Sequence, residues 1–274
     1  MERQGDLLSA DSPGTDMSFG VEVHVHQLLL QKGVRVPEVI FYENHHEAFG
    51  MSVMLVREIP GSLVGDDLSM GEFERVLREA GKQLAVINQV PVEGFGWVRR
   101  GRNEGARNLV GEKNGIGDFI AEHLTEDLHF LSGNLLSIAE AARIQDILKL
   151  GASLMSRHES RLVHGDFDDS HIFQQFGKYK GIIDFGEIQG NSPLYDLGHY
   201  KLHDGQRYSG FKALSEGYQE VESLTAEDLL EIELWALWIG VRRLGIVGRR
   251  SSGKYVEILL QAVRREMGII QGRL

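Results

Sequence analysis

Apolar residues fall into two rhythms along this chain. Val21, Val25, Leu28 and Leu29 recur at helical spacing, and Gly33 supplies a stop, so a helix is predicted to open near Phe19. Val36-Pro37 then introduces a strand at 39–42. A polar turn at 43–47 separates it from a partly β-branched run at 51–59, closed by Pro60 and Gly61. Phe73, Val76, Leu77, Leu84 and Ile87 stripe one face of a helix over 72–90. Residues 94–105 are rich in Gly and Arg, with Trp97 as the anchor of a loop. Helical patterns return at 116–130 and 135–158, the second carried by Ile138, Ile144, Ile147, Leu148 and Leu154. From 194 to 274 the pattern is helical, with breaks near Gly205, near Ser223 and between Gly248 and Gly253. Ser192-Pro193 reads as the N-cap and first position of the first of these helices. Residues 1–19, with Gly5, Pro13 and Gly14 among Asp and Ser, read as an irregular or mobile lead-in.

Between 161 and 186 the helical rhythm gives way to short apolar runs and a polar turn, RLVHGDFDDSHIFQQFGKYKGIIDFG. The runs at 172–176 and 179–183 are split by Gly177-Lys178, a loop opening on Gly that suits a type II′ hairpin. Asp166 sits on the loop entering this hairpin and Asp184 where it leaves. Antiparallel pairing would bring both carboxylates to one edge. Phosphoryl transfer uses that staging: one carboxylate orients the attacking hydroxyl and accepts its proton, another holds the metal that neutralises the phosphates.

The kinase pattern is H-R-D-x-x-x-x-N followed by D-F-G. Here His164-Gly165-Asp166 carries Gly for Arg, Asp184-Phe185-Gly186 matches in full, and His171 stands where the Asn belongs. With Tyr195-Asp196-Leu197 following, the chain from about Val21 onward resembles the aminoglycoside phosphotransferase and choline kinase-like family of small-molecule kinases. The resemblance implies a mixed α/β, protein kinase-like fold of two lobes: a partial small lobe over 1–61 and a mostly helical large lobe over 62–274. It implies ATP as phosphoryl donor, a small-molecule hydroxyl as acceptor, and Mg2+ as the metal. Asp166 would be the catalytic base, Asp184 a metal ligand, and Arg57, Glu58 and Ile59 the adenine hinge. Glu22 would lie on the small-lobe helix that pairs with a phosphate-binding lysine. His164 would brace the loop from beneath, and Asp196 would tie it to a large-lobe helix.

Two departures from the family stand out. At His171 an imidazole replaces a hard amide oxygen, and its softer nitrogen favours Mn2+ or Zn2+; His171 either ligates metal or makes a hydrogen bond. The second is at the front. The family carries three strands before the helix of Glu22, one bearing the lysine, whereas here the first lysine is Lys32. With strands of about five residues each, residues 1–19 hold one short strand at most. The expectation is a truncated reading of a longer protein, with an uncovered strand edge, Glu22 lacking its cation, and weak ATP binding; a makeshift strand from 1–19 is the alternative.

Composition narrows the choices further. At 274 residues and 42% hydrophobic, the chain can bury a substantial core. With no Cys, disulfides and thiolate metal sites are excluded, which fits a cytoplasmic protein. The most apolar late run, 234–247, is interrupted by Arg242 and Arg243 and too short to span a bilayer. A net charge of −11 argues against nucleic acid and would suit a cationic acceptor, although such acidity also serves solubility alone. The acidic helices over 216–233 either line a pocket for a cation or, the favoured reading, are solvated faces. Gly248 to Tyr255 nearly spells a phosphate loop, but Tyr replaces the metal-binding hydroxyl and the run follows a helix, so it reads as a helix–helix turn. Asp168, Asp169 and Glu187 read as surface acids. Two rivals to kinase activity remain: a relative that binds nucleotide or metabolite without turnover, and a metal-dependent hydrolase built on His164, Asp166, Asp169 and His171.

Overall fold

Among the described residues, β-structure runs from Asp6 to Asn191, and everything after it that is regular is helical. The computed structural model describes residues 6–10, 18–65, 67–100, 108–204, 210–250 and 252–273. In chain order the elements are β1 (Asp6–Ala10), α1 (Gly20–Gln31), β2 (Val39–His46), β3 (Met51–Arg57), β4 (Ser62–Leu63), α2 (Met70–Ile87), β5 (Phe95–Val98), β6 (Gly111–Lys113), α3 (Ile116–Asn134), α4 (Ile138–Met155), β7 (Arg161–Val163), β8 (Ile172–Gln175), β9 (Lys178–Ile182), β10 (Gln189–Asn191), α5 (Tyr195–His203), α6 (Gly210–Gln219), α7 (Ala226–Arg250) and α8 (Lys254–Gln271). Short 3-10 turns at Asp169–His171 and Phe185–Glu187 flank the β8–β9 hairpin. The strands form three sheets, ordered β1-β3-β2, β6-β5-β10-β7 and β4-β8-β9.

α1 joins two cores because it carries two apolar faces. Val21, Val25 and Leu29, spaced by one helical turn, enter the main core. Phe19 and Val23 point the other way and, with Met54 and Val56 of β3, make a small separate core. The main core is filled largely by α2, α4, α5 and α7. On α7 the run from Ile232 to Val241 is wholly buried, and each large apolar side chain there stabilises by about 1.5–3 kcal/mol.

Several expectations need correction. The lead-in is not irregular throughout: residues 6–10 form β1, which pairs antiparallel with β3 in the register Asp6↔Arg57 to Ala10↔Val53. β3 is therefore central, flanked by β1 and β2, and its edge is covered. The backbone of β1 satisfies the amides and carbonyls that β3 would otherwise leave bare. Gly5, Pro13 and Gly14 lie outside the described residues. The polar turn at 43–47 is shorter than expected, since β2 runs to His46 and bonds on as far as Met51. The β8–β9 loop is Phe176-Gly177, one residue earlier than expected. Both have positive φ (54° and 66°), the signature of a type I′ turn, and Gln175 pairs with Lys178.

Helix boundaries shift for identifiable reasons. α2 begins at Met70 because Ser69 and Glu72 form a capping box, and Ser137 with Glu140 does the same for α4. Ser192 does not cap α5, which starts at Tyr195. Its hydroxyl is drawn instead to the buried carboxylate of Glu231, at 2.5 Å. α7 continues through Gly248 to Arg250. The glycine-rich run that ends at Tyr255 straddles the α7–α8 junction, as expected for a helix–helix turn. The break expected near Gly205 lies outside the described residues. Among the described residues, no helix is long and apolar enough to cross a membrane.

Candidate active site

Two strands of chain meet at the centre of the cleft, residues 164–166 before β8 and residues 183–187 after β9. Gly165 has φ +87°, and a Cβ there would fall 1.9 Å from the carbonyl oxygen of Glu187. Only glycine permits this crossing. The carboxylate of Asp196, at the start of α5 and fully buried, accepts the backbone N–H of His164 at 2.8 Å and of Gly165 at 2.9 Å. Asn88 adds a longer bond of 3.4 Å to the same carboxylate. Burial pushes the Asp196 carboxyl up, opposed by His164 and these backbone donors. His164 is buried beneath the loop, and burial pushes its imidazole down. Its Nε2–H donates to the carbonyl of Ile183 at 2.8 Å, tying the two strands together.

Asp184 lies where the chain turns left-handed, φ +65°, and its side chain is 66% exposed. Phe185 beside it is buried and packs against His26 and His164, with ring centroids 5.3 and 4.9 Å away. His171 sits between the two acids. Its Nε2 is 3.7 Å from Asp184 Oδ2 and 3.9 Å from Asp166 Oδ2, while Nδ1 is 3.3 Å from Asp168 Oδ1. Burial lowers the His171 imidazole, but the Asp168 hydrogen bond and the three surrounding carboxylates outweigh it and raise it. The hairpin thus brings Asp166 and Asp184 to one imidazole, as the antiparallel register demands.

Asp166 is held more tightly than the sequence suggested. Arg243, on α7, forms an ion pair and hydrogen bond with its Oδ1. His199, on α5, places Nε2 3.2 Å from the same oxygen, and its Nδ1 lies 2.8 Å from the carbonyl of Phe167. Burial pushes the Asp166 carboxyl up, yet the His199 hydrogen bond and the Arg243 charge reverse this and hold it well below the usual carboxylate range. Neither Arg243 nor His199 was singled out by the sequence. Arg243 did leave a signal, since an arginine inside the most apolar run of the chain requires a buried partner.

Asp168 and Asp169 are not the solvent-facing acids expected. Asp168 accepts from the N–H and hydroxyl of Ser170 and faces His171. Asp169 accepts the Tyr200 hydroxyl at 2.5 Å, and burial pushes its carboxyl up to about 6. Glu187 is exposed, as expected, but it lines a cavity with Asp166.

Two cavities open on either side of the paired strands. The first, about 470 Å3, is lined by Glu22, Arg57, Glu58, Ile59, Arg100 and Asp184 among others. The second, about 350 Å3, is lined by Asp166, Glu187 and Arg243 together with Trp97, Phe119, Tyr195 and Trp238. The hinge residues, Glu22 and Asp184 thus share one cavity, and Asp166 lies in its neighbour. The backbone N–H of Arg57 is already taken by Glu38 O at 2.8 Å, which removes it from the expected set of hinge donors.

Glu22 does not lack a cation. Arg100, from the end of the β5 segment, reaches its carboxylate at 2.5 Å and the carbonyl of Gly186 at 2.5 Å. No periodicity marks Arg100, which stands in a glycine- and arginine-rich loop whose residues 101–107 lie outside the described set.

For a divalent ion, Asp184 offers an open carboxylate and His171 a facing nitrogen, so these two residues fit the donor chemistry of such a site. A tighter trio, His158, Asp228 and Glu231, lies elsewhere. Its carboxylates are engaged by Arg157.

Comparison with known proteins places this geometry in context. Residues 10–224 match the model of the family described as phosphotransferase enzyme family. Aminoglycoside 3'-phosphotransferases of Enterococcus faecalis and Staphylococcus aureus are each 24% identical over 195 residues, spanning 70% of this chain and 68% of theirs. In fold, the chain is similar to a thermostable mutant of aminoglycoside phosphotransferase APH(4)-Ia in ternary complex with ADP and hygromycin B. The TM-score is 0.70 at 18% identity, covering 98% of this chain and 86% of that one.

Proposed function

This chain belongs to the phosphotransferase enzyme family, and from that premise we propose that it transfers the γ-phosphoryl group of ATP to a hydroxyl of a small molecule held beside Asp166. One observation carries the assignment of roles: His171 lies within 4 Å of both Asp166 and Asp184, and these two carboxylates line separate cavities. One carboxylate thereby faces a nucleotide-sized cavity and the other an acceptor-sized one.

In this reading the small lobe spans 1–61 and the large lobe 62–274, and adenine pairs with backbone groups of Glu58 and Ile59. The acceptor hydroxyl approaches Asp166, which orients it and takes its proton late. Because Arg243 and His199 hold this carboxylate ionised and fixed in direction, its contribution is orientation more than basicity. His164 and Asp196 keep the loop backbone in place. Asp184 and His171 would hold the divalent ion, Mg2+ or Mn2+, and when bound it neutralises charge on the transferring phosphoryl group.

The acceptor cavity bears on the substrate. Trp97, Phe119, Tyr195 and Trp238 offer ring faces, while Asp166 is paired to Arg243 and Glu122 to Lys113. Glu187 is the remaining acid of the lining. That set suits a polyhydroxylated ring with at most modest positive charge, including an amino sugar or amino alcohol. The reaction is placed in the cytoplasm, where ATP is available.

Measuring ADP release from ATP across a panel of sugars, amino sugars and amino alcohols tests the proposal. Acceptor-dependent release, abolished in Asp166→Asn, is expected. ATP binding with no release on any acceptor would favour binding without turnover, a reading that draws on the Arg243 guanidinium seated against Asp166. Phosphate release from phosphate esters without ATP would favour a hydrolase.

A further inference from the structure

The residue that faces Glu22 arrives from the far side of the cleft. Glu22 and Arg100 have side chains only 8% and 6% exposed, so their ion pair is shielded from water and from salt. The guanidinium makes two contacts. Nη1 meets Glu22 on α1, and Nη2 donates to the carbonyl of Gly186, two residues past Asp184. Arg100 thus clamps the α1 side of the cleft to the segment that carries Asp184.

The clamp leaves the Nε–H unused. Nε of Arg100 is buried and has no hydrogen-bond partner among the described residues. A buried donor left unmet is destabilising, a cost that a ligand oxygen would remove. Arg100 lines the same cavity as Glu58, Ile59 and Asp184. Lys32, the first lysine of the chain, lines a different cavity, with His24 and Leu28.

We propose that Arg100 is the protein cation that binds the nucleotide phosphates, with its free Nε–H directed to a phosphate oxygen while Glu22 and the Gly186 carbonyl hold the guanidinium in place. The inference rests on the reading of this cavity as the nucleotide site. A planar guanidinium suits the task, because it can donate to the phosphate from one edge while its other nitrogens stay committed. The cation is supplied by the large lobe, after β5, instead of by a small-lobe strand. Nucleotide binding then bears on the contact between α1 and the Asp184 segment, since one side chain would touch all three.

Calorimetric titration of ATP, ADP and adenosine into the wild type, Arg100→Lys, Arg100→Met and the double variant Glu22→Gln/Arg100→Met tests this. The double variant removes both charges and so avoids leaving a buried carboxylate unpaired. Thermal unfolding of each protein establishes that it is folded. Loss of one charge-assisted contact should weaken ATP and ADP by roughly 10- to 100-fold in both methionine variants. Adenosine should be nearly unaffected, and Arg100→Lys should recover part of the loss. Equal losses for adenosine and ATP would make Arg100 a purely structural clamp and overturn the inference. So would unchanged or tighter ATP binding in the double variant, the latter because Arg100 would then be an obstruction. A wild type that binds neither ATP nor adenosine would overturn the nucleotide reading of the cavity, and this inference with it.

Discussion

Arg243 reaches from α7 to Asp166, 77 residues earlier in the chain, and with His199 it fixes both the charge and the direction of that carboxylate. The arrangement shapes what each substitution in the cleft should do.

Asp166→Asn keeps the side chain's size but removes its ability to take a proton. Turnover should fall by roughly 10²–10⁴, with folding intact because the amide oxygen can still face Arg243 and His199. Steady-state rates and a thermal melt decide the matter, and a variant with wild-type turnover would remove Asp166 from the chemistry.

Arg243→Gln removes the charge that holds the Asp166 carboxyl low. Burial, which acts the other way, should then raise it. In the wild type Asp166 stays ionised through the acid range, so the rate should fall little there on its account. In the variant the acid limb of kcat/KM should move up by at least about one pH unit. An unmoved limb would mean that the rate does not report the protonation of Asp166.

His171→Asn replaces an imidazole with a hard amide oxygen at the position facing Asp184. Relative activity with Mg2+ over Mn2+ should rise severalfold, on the order of what ligand softness alone predicts. If the metal profile stays where it was, His171 acts as a hydrogen-bonding spacer between Asp168, Asp166 and Asp184.

His26 lies on α1 behind Phe185, and its Nδ1–H donates to the carbonyl of Pro37 at 2.9 Å. Burial pushes its imidazole down from 6.5 to about 4, against the raising effect of Pro37. A depressed folded-state value means the unfolded chain binds the proton first. The contribution of His26 to stability is therefore complete above pH 6.5 and is lost as pH falls toward about 4. Near pH 5 the loss should reach about 2 kcal/mol. Urea titrations between pH 7 and 5 should show this decline, less steep in His26→Gln. Equal slopes for the two proteins would exclude His26 as the source.

The cleft was legible in the sequence wherever function and backbone pattern are local. Asp166, His171 and Asp184 flank one hairpin, and the two short apolar runs at 172–176 and 179–183, joined by a tight turn, bring its two ends together. The positions of His164 and Asp196 followed from the motif; in the structure Asp196 accepts the N–H groups of His164 and Gly165, and His164 meets the carbonyl of Ile183. The turn was misjudged by one residue because Phe176 adopts positive φ although it is not glycine, and at 87% exposure it meets no neighbour that would forbid it.

What tertiary structure decided was the set of partners. Arg100 meets Glu22 across 78 residues, and Arg243 and His199 meet Asp166 from two different helices. Such pairings depend on how helices and loops pack, and packing leaves no periodic trace in the chain. The same holds for β1. Its pairing with β3 is made by backbone groups that every residue carries, so a polar lead-in could cover a strand edge without an apolar pattern to announce it. Sequence therefore determined, through local register, that Asp166 and Asp184 come together. The cations that hold Asp166 and Glu22 were chosen by long-range folding, because buried charge must find a partner wherever the fold provides one.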